Sequence, residues 1–241
     1  MKDSIFNDIA GKKMPHLRED EFSVHYDRFA SEILDEGALS CKDKLLILLG
    51  VYASKGSIGF IKEFLIQRLR QLNVPAEEVL EVLKAVTLSR GPIPLIDGLE
   101  IIESMGGDDL VRKMKKASVV KSSGEILDYF QNRFNAIPEW IALLGKEYPS
   151  LLEQYYCIRS NCLEDGAAPR KVKELILVAV NAAGLYHEGM RLHMIGALQA
   201  GGKREEIIEA LLVSVLGGGI VSWIDGLSVM KEIEVLRQME G

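Results

Sequence analysis

Apolar residues recur at spacings of three and four along most of the chain, as in EEVLEVLKAV (77–86) and EEIIEALLVSVL (205–216). That spacing draws one apolar stripe down a helix of 3.6 residues per turn. In KELILVAVNAAGLY (173–186) the apolar run is nearly continuous. It is too long and too rich in alanine for a strand, so it predicts a helix buried on all sides. Helix starts are signalled at Ser40 and at Pro169, whose fixed φ suits a first turn. No strand ladder is visible, and the predicted fold class is all-α.

The pattern is written twice. LSCKDKLLILLGVYAS (39–54) aligns with APRKVKELILVAVNAA (168–183) at an offset of 129, and VPAEEVLEVL (74–83) with GKREEIIEAL (202–211) at 128. Residues in register include Tyr26 and Tyr155, Gly37 and Gly166, Lys44 and Lys173, Glu78 and Glu206, and Gly91 and Gly219. The tetrapeptide IDGL appears at 96–99 and again at 224–227. Matched glycines and a tetrapeptide in register are hard to produce by chance, so the chain predicts two tandem helical-bundle repeats. Their expected bounds are 1–115 and 116–241, joined through the basic, serine-containing VRKMKKASVVKSSGE (111–125). LDYFQNRFNAIPEWIALLG (127–145) then leads into the second repeat's core.

Composition narrows the partners. Of 241 residues, 48% are hydrophobic and 27% charged, which suits a buried core, and a net charge of −6 argues against nucleic acid. The first residues, MKDSIFNDIAGKK, lack the apolar centre of a signal peptide. The longest apolar stretch, 211–224, is too short to span a bilayer and carries Gly217, Gly218 and Gly219. Those glycines fall inside a predicted helix, where close packing or an open pocket wall would explain them. Three cysteines fit a reducing compartment. The expectation is a cytoplasmic protein with a small-molecule partner, no nucleic acid, no membrane, no cofactor and no metal site.

The second repeat carries a candidate chemistry. Glu174 precedes His193 by 19 residues, with a helix break near Gly184 between them. His193 is followed by Ala197, a glycine turn at Gly201 and Gly202, the Glu205–Glu206 helix start and a glycine stretch after Val215. This ordered set resembles the carboxymuconolactone decarboxylase family, which includes the alkylhydroperoxidase D proteins. The likeness covers roughly 150–235 and, in degenerate form, 22–105. It implies an all-α fold and catalytic roles for Glu174 and His193. In the peroxidase branch a CxxC lies between glutamate and histidine; here its positions hold Tyr186 and Gly189, which have no thiol chemistry. The decarboxylase branch is therefore closer. At the aligned positions of the first repeat stand Leu45 and Leu65, so the fold is duplicated and the chemistry is not.

The resemblance implies cofactor-free decarboxylation, or a related proton transfer, on a small lactone or unsaturated carboxylic acid. His193 is the expected general acid, tuned by Glu174. Candidate substrate contacts are Tyr186, His187, Arg191 and Trp223. The plainer readings stay open: His187 as a cap, Arg191 as an exposed arginine, Asp97 and Asp225 as structural, Cys41, Cys157 and Cys162 as ordinary core residues. With a rise of about 1.5 Å per residue, Glu174 and His193 sit at different heights on an ideal hairpin, so contact needs a favourable crossing or a bridging water. Competing functions are a non-enzymatic scaffold of the same fold and a thiol peroxidase. Single-copy relatives form rings of three or six subunits, which implies a homotrimer for a duplicated chain.

Overall fold

The apolar runs KLLILLGVYA (44–53) and KELILVAVNAA (173–183) become the two central helices. The structure, a computed structural model, describes residues 21–107, 110 and 120–239. The N-terminal segment read above and linker residues 111–119 lie outside the described residues. Every described element is a helix, so the class is all-α.

The first repeat comprises α1 (Glu21–Leu34), α2 (Cys41–Ser54), α3 (Ile58–Gln71), α4 (Ala76–Arg90), α5 (Ile93–Asp97) and α6 (Leu99–Ser104). Two further helices follow, α7 (Ser123–Phe134) and α8 (Glu139–Glu147). The second repeat comprises α9 (Pro149–Leu163), α10 (Arg170–Ala183), α11 (His187–Gln199), α12 (Arg204–Gly218) and α13 (Ile220–Met239). The segment 127–145 thus forms parts of two helices, broken where Asn135 turns left-handed and Pro138 restarts the chain.

Helix order and length repeat closely. The central helices α2 and α10 both have 14 residues; α4 and α12 both have 15. Left-handed backbone recurs at matching places: Gly56 and Leu185, Asn73 and Gly201, Gly91 and Gly219. The last of these corrects the reading of the glycine stretch at one position. Gly219, at φ 76°, ends α12 and redirects the chain into α13, whereas Gly217 and Gly218 lie in the last turn of α12 and are closely packed as expected: a Cβ on them would meet Val51 at 2.6 Å and the Ala183 backbone at 2.7 Å. The glycines of both IDGL segments have one reason. A Cβ on Gly98 would sit 2.3 Å from Leu83, and one on Gly226 would sit 2.4 Å from Leu211, its counterpart.

Helix α10 is buried from Val172 to Ala183, and α2 from Lys44 to Val51. Such helices are stable only inside a core. They pack on each other so closely that a Cβ on Gly50 would meet Ile176 at 2.6 Å. One cluster of buried apolar residues runs through both repeats, from Ala30 to Ile233. Each fully buried Leu or Ile contributes about 1.5–3 kcal/mol.

Charged side chains then clasp the repeats to one another, twice, in matching fashion. Lys44 donates to the Asp35 carbonyl at 2.6 Å and pairs with Glu209 at 3.0 Å. Lys173 donates to the Glu164 carbonyl at 2.7 Å and pairs with Glu81 at 2.8 Å. Glu209 also accepts from the Ala38 and Leu39 amides, and Glu81 from the Ala168 amide. Each repeat therefore supplies a carboxylate that caps a turn and neutralises a buried lysine in the other. A smaller cluster of Ile126, Phe130, Phe134, Ile141, Leu152 and Tyr156 joins α7 and α8 to α9.

Candidate functional site

Helices α10 and α11 form a hairpin around Leu185, which sits at φ 54°. On it, His193 Nδ1 lies 2.8 Å from Glu174 Oε2. The contact is direct; no bridging water is needed. It is possible because α11 carries Gly196 over the carboxyl: a Cβ there would fall 2.6 Å from Glu174 Cδ. Glu174 has no exposed side-chain surface, while His193 retains 13%. An Nδ1–H donating to the carboxylate fixes the ring and leaves Nε2 for a bound molecule.

One turn earlier on α10, Arg170 donates through Nε and Nη2 to Glu174 Oε1, both at 3.3 Å. Arg170 Nη2 also donates to the Tyr129 hydroxyl at 3.4 Å, and Arg159 Nη1 reaches the same oxygen at 3.3 Å. A connected chain results: Arg159, Tyr129, Arg170, Glu174, His193. Burial pushes the Glu174 carboxyl up, but the hydrogen bond and charge of His193, then Arg159 and Arg170, outweigh it and hold it below the ordinary value. Burial likewise raises the Tyr129 hydroxyl, yet Arg159, Arg170 and Arg133 bring it net below its usual range. Positive charge dominates around this cluster.

A cavity of about 300 Å³ opens beside the pair. Phe130 and Phe134 of α7 and Trp140 of α8 form one side; Tyr155 and Arg159 of α9, Asn181 of α10, and Tyr186, Gly189, Leu192 and His193 complete it. Leu88 and Ser89, from the end of α4, close it from the first repeat. Tyr186 and Gly189, which occupy the CxxC positions of the resembling peroxidases, are both in the wall. No cysteine is. Cys162 is buried elsewhere, its thiol pushed up by burial, and Cys41 and Cys157 are partly buried.

The structure thus brings together Glu174, His193 and Tyr186. His187, Arg191 and Trp223 lie outside the cavity wall. His187 is the first residue of α11, with Nε2 2.6 Å from Asp225 Oδ1 of α13; it ties two helices together rather than capping its own, whose N-cap is Tyr186. Trp223 packs against the main core, and Arg191 is partly buried on α11. In the first repeat Leu45 and Leu65 are fully buried. Among the described residues no cluster of His, Cys, Asp or Glu has the composition of a metal site, and no helix is long and apolar enough to cross a membrane.

Sequence reasoning missed Arg159, Arg170, Tyr129, Asn181 and the aromatic wall. Arg170 had a signal, since it stands four residues before Glu174 on one helix face. Arg159 and Asn181 had none, because their place on the same cavity wall as His193 depends on how α9, α10 and α11 cross.

Residues 149–232 match the model of the carboxymuconolactone decarboxylase family. An uncharacterized protein of Cupriavidus necator is 28% identical over 90 residues, which cover 37% of this chain and 80% of that protein. A crystal structure from Burkholderia xenovorans, of a protein provisionally named a gamma-carboxymuconolactone decarboxylase subunit, aligns with a TM-score of 0.61 at 23% identity. The alignment covers 97% of this chain and 91% of that one, and it extends to the fold.

Proposed function

We propose, from the match of residues 149–232 to the carboxymuconolactone decarboxylase family, cofactor-free decarboxylation, or a related proton transfer, on a small lactone or unsaturated carboxylic acid. The observation that carries the reading is the 2.8 Å Glu174–His193 contact on the wall of a small, largely aromatic cavity. In the decarboxylation, the bond between ring carbon and carboxylate breaks and carbon dioxide leaves. The electron pair stays on the ring and spreads into the lactone carbonyl as an enolate. Protonated His193 then gives its Nε2 proton to the carbon and returns to neutral imidazole, which water reprotonates. Glu174 stabilises the imidazolium through Nδ1–H, and N–H donors on the wall, Asn181 Nδ2 and Trp140 Nε1, face the developing oxyanion. Positioned proton transfer of this kind contributes roughly 100- to 10,000-fold.

A non-enzymatic binding protein of the same fold is the second reading, favoured by a first repeat that keeps the architecture with Leu45 and Leu65 in place of the pair. Incubation with a carboxylated muconolactone in heavy water separates the two. The enzyme releases carbon dioxide and places deuterium on the ring carbon, and His193→Gln abolishes both. Absence of carbon dioxide and of exchange with the wild-type protein would leave the binding reading standing.

A further inference from the structure

We propose that the cavity binds a planar, conjugated carboxylate of about benzoate size, with its carboxylate on Arg159 and a second ligand oxygen on Asn181. The inference rests on the preceding reading only for the place of the ligand; it concerns recognition rather than turnover.

The charge argument comes first. Arg159 lines the cavity and is only 6% exposed. Its one protein partner by hydrogen bond among the described residues is the Tyr129 hydroxyl at 3.3 Å, and no carboxylate there lies within ion-pair reach. Glu174 is already engaged by Arg170 and His193. Instead, Arg159 faces rings, with Cζ 5.5 Å from the centre of Phe130 and 5.8 Å from that of Tyr129. A guanidinium buried without an anion is costly, and an anion entering the cavity relieves that cost.

The polar argument is independent. Asn181 is 1% exposed, and neither Nδ2 nor Oδ1 has a partner among the described residues. Trp140 Nε1 is in the same condition. Both side chains line this cavity. A buried amide lacking partners is a rare and costly arrangement in a folded protein, and a ligand oxygen satisfies it.

Shape supplies the third argument. Phe130, Phe134, Trp140 and Tyr155 give the cavity flat apolar faces, and about 300 Å³ suits a single small ring. The first repeat lacks both the guanidinium and the amide of this arrangement. At an offset of 129, Ala30 stands in place of Arg159 and Tyr52 in place of Asn181. Tyr52 is satisfied internally, donating to the Leu216 carbonyl at 3.1 Å. The unpartnered groups accompany the Glu174–His193 pair, not the fold.

Calorimetric and tryptophan-fluorescence titration of the full chain tests the proposal with benzoate, benzamide and cyclohexanecarboxylate. Benzoate saturates a single site. Benzamide, the neutral analogue, binds roughly 30-fold weaker or worse, and cyclohexanecarboxylate, equally charged but not flat, about tenfold weaker. Arg159→Met removes the preference for benzoate over benzamide, and Arg159→Lys restores part of it. At least one hydroxybenzoate binds about tenfold tighter than benzoate, a gain that Asn181→Leu erases. Equal affinity for benzamide overturns the carboxylate assignment on the wild-type protein alone. Equal affinity for cyclohexanecarboxylate overturns the planar one, and no gain with any hydroxybenzoate overturns the role of Asn181. No saturation with benzoate below about 10 mM overturns the whole. Benzoate binding without carbon dioxide release from the lactone sinks the decarboxylase reading and leaves this one; release without benzoate binding does the reverse.

Discussion

Glu174 and His193 meet at 2.8 Å although 19 residues and a left-handed turn at Leu185 separate them. The carboxylate is fully buried and the imidazole reaches the cavity. One group therefore orients and the other is available to react. Substituting Glu174→Gln keeps an acceptor but removes the charge, and turnover falls roughly 10- to 100-fold. His193→Gln lowers it roughly 100- to 10,000-fold. Carbon dioxide release, with thermal melting as the folding control, measures both; unchanged rates in His193→Gln would sink the assignment.

The contact depends on an absent side chain. Gly196→Ala places a methyl 2.6 Å from the Glu174 carboxyl carbon. Alanine favours the helix by about 1 kcal/mol, while overpacking costs roughly 1–3 kcal/mol. Stability therefore falls by at most about 2 kcal/mol, yet turnover drops at least as far as in Glu174→Gln. A Gly196→Ala protein with wild-type turnover would show that the close approach is immaterial.

The clasps between repeats predict acid sensitivity. Burial raises the Glu81 and Glu209 carboxyls, but Lys173 with the Ala168 amide, and the Leu39 and Ala38 amides with Lys44, hold both net below the ordinary 4.5. A carboxylate with a depressed folded value stabilises the protein above its unfolded value and loses that contribution as pH falls through the folded one. Melting temperature therefore declines as pH drops below about 4.5. Glu81→Gln and Glu209→Gln each cost roughly 2 kcal/mol at neutral pH, and the double variant declines less steeply in acid. A double variant with the wild-type slope would contradict the assignment.

What the sequence displayed, and what it concealed, divides along local and nonlocal lines. The duplicated helices were legible because apolar spacing and matched glycines are properties of short stretches. The Glu174–His193 pair was legible through its resemblance, while its direct contact required the cover of Gly196. Arg159 and Asn181 were hidden because nothing in their own helices distinguishes a residue facing a cavity from one facing a neighbour. His187 and Trp223 lie outside the cavity wall for the same kind of reason: which face of a helix meets the cavity is set by how the helices cross. Of the glycine stretch read as helix interior, Gly217 and Gly218 are in the helix and only Gly219 lies outside it, as a left-handed junction.

Leu185 is the branched residue in a place where the first repeat has Gly56, and both have positive φ. Left-handed backbone costs a non-glycine residue roughly 1–2 kcal/mol, against roughly 0.5–1 kcal/mol of extra chain entropy for glycine. Leu185 is half exposed, so little packing is lost. Leu185→Gly is expected to raise stability by about 0.5–1 kcal/mol in denaturant unfolding. A clear loss would mean that the leucine holds the hairpin by contacts that outweigh the strain.

Apolar side chains are exposed at matching positions of both repeats, Ile93 with Val221 and Ile96 with Ile224. We predict that copies of this chain cover these faces and form a homotrimer, in which six repeats surround one axis. Light scattering after size-exclusion chromatography measures the mass; a value near 27 kDa at micromolar concentration rules the trimer out.

The cavity wall is shared between the repeats. Leu88 and Ser89 come from the first, and beside them Arg90 donates to the Val180 carbonyl at 3.2 Å while Lys55 donates to the Ala183 carbonyl at 2.5 Å. A molecule that touches both sides acts as a tie between the halves. Its binding energy is then added to the work of separating them, and at a hundred times its dissociation constant that addition is about 2.7 kcal/mol. Occupancy of the cavity and resistance to unfolding are two readings of one equilibrium, so a melting curve is itself a ligand detector for this protein.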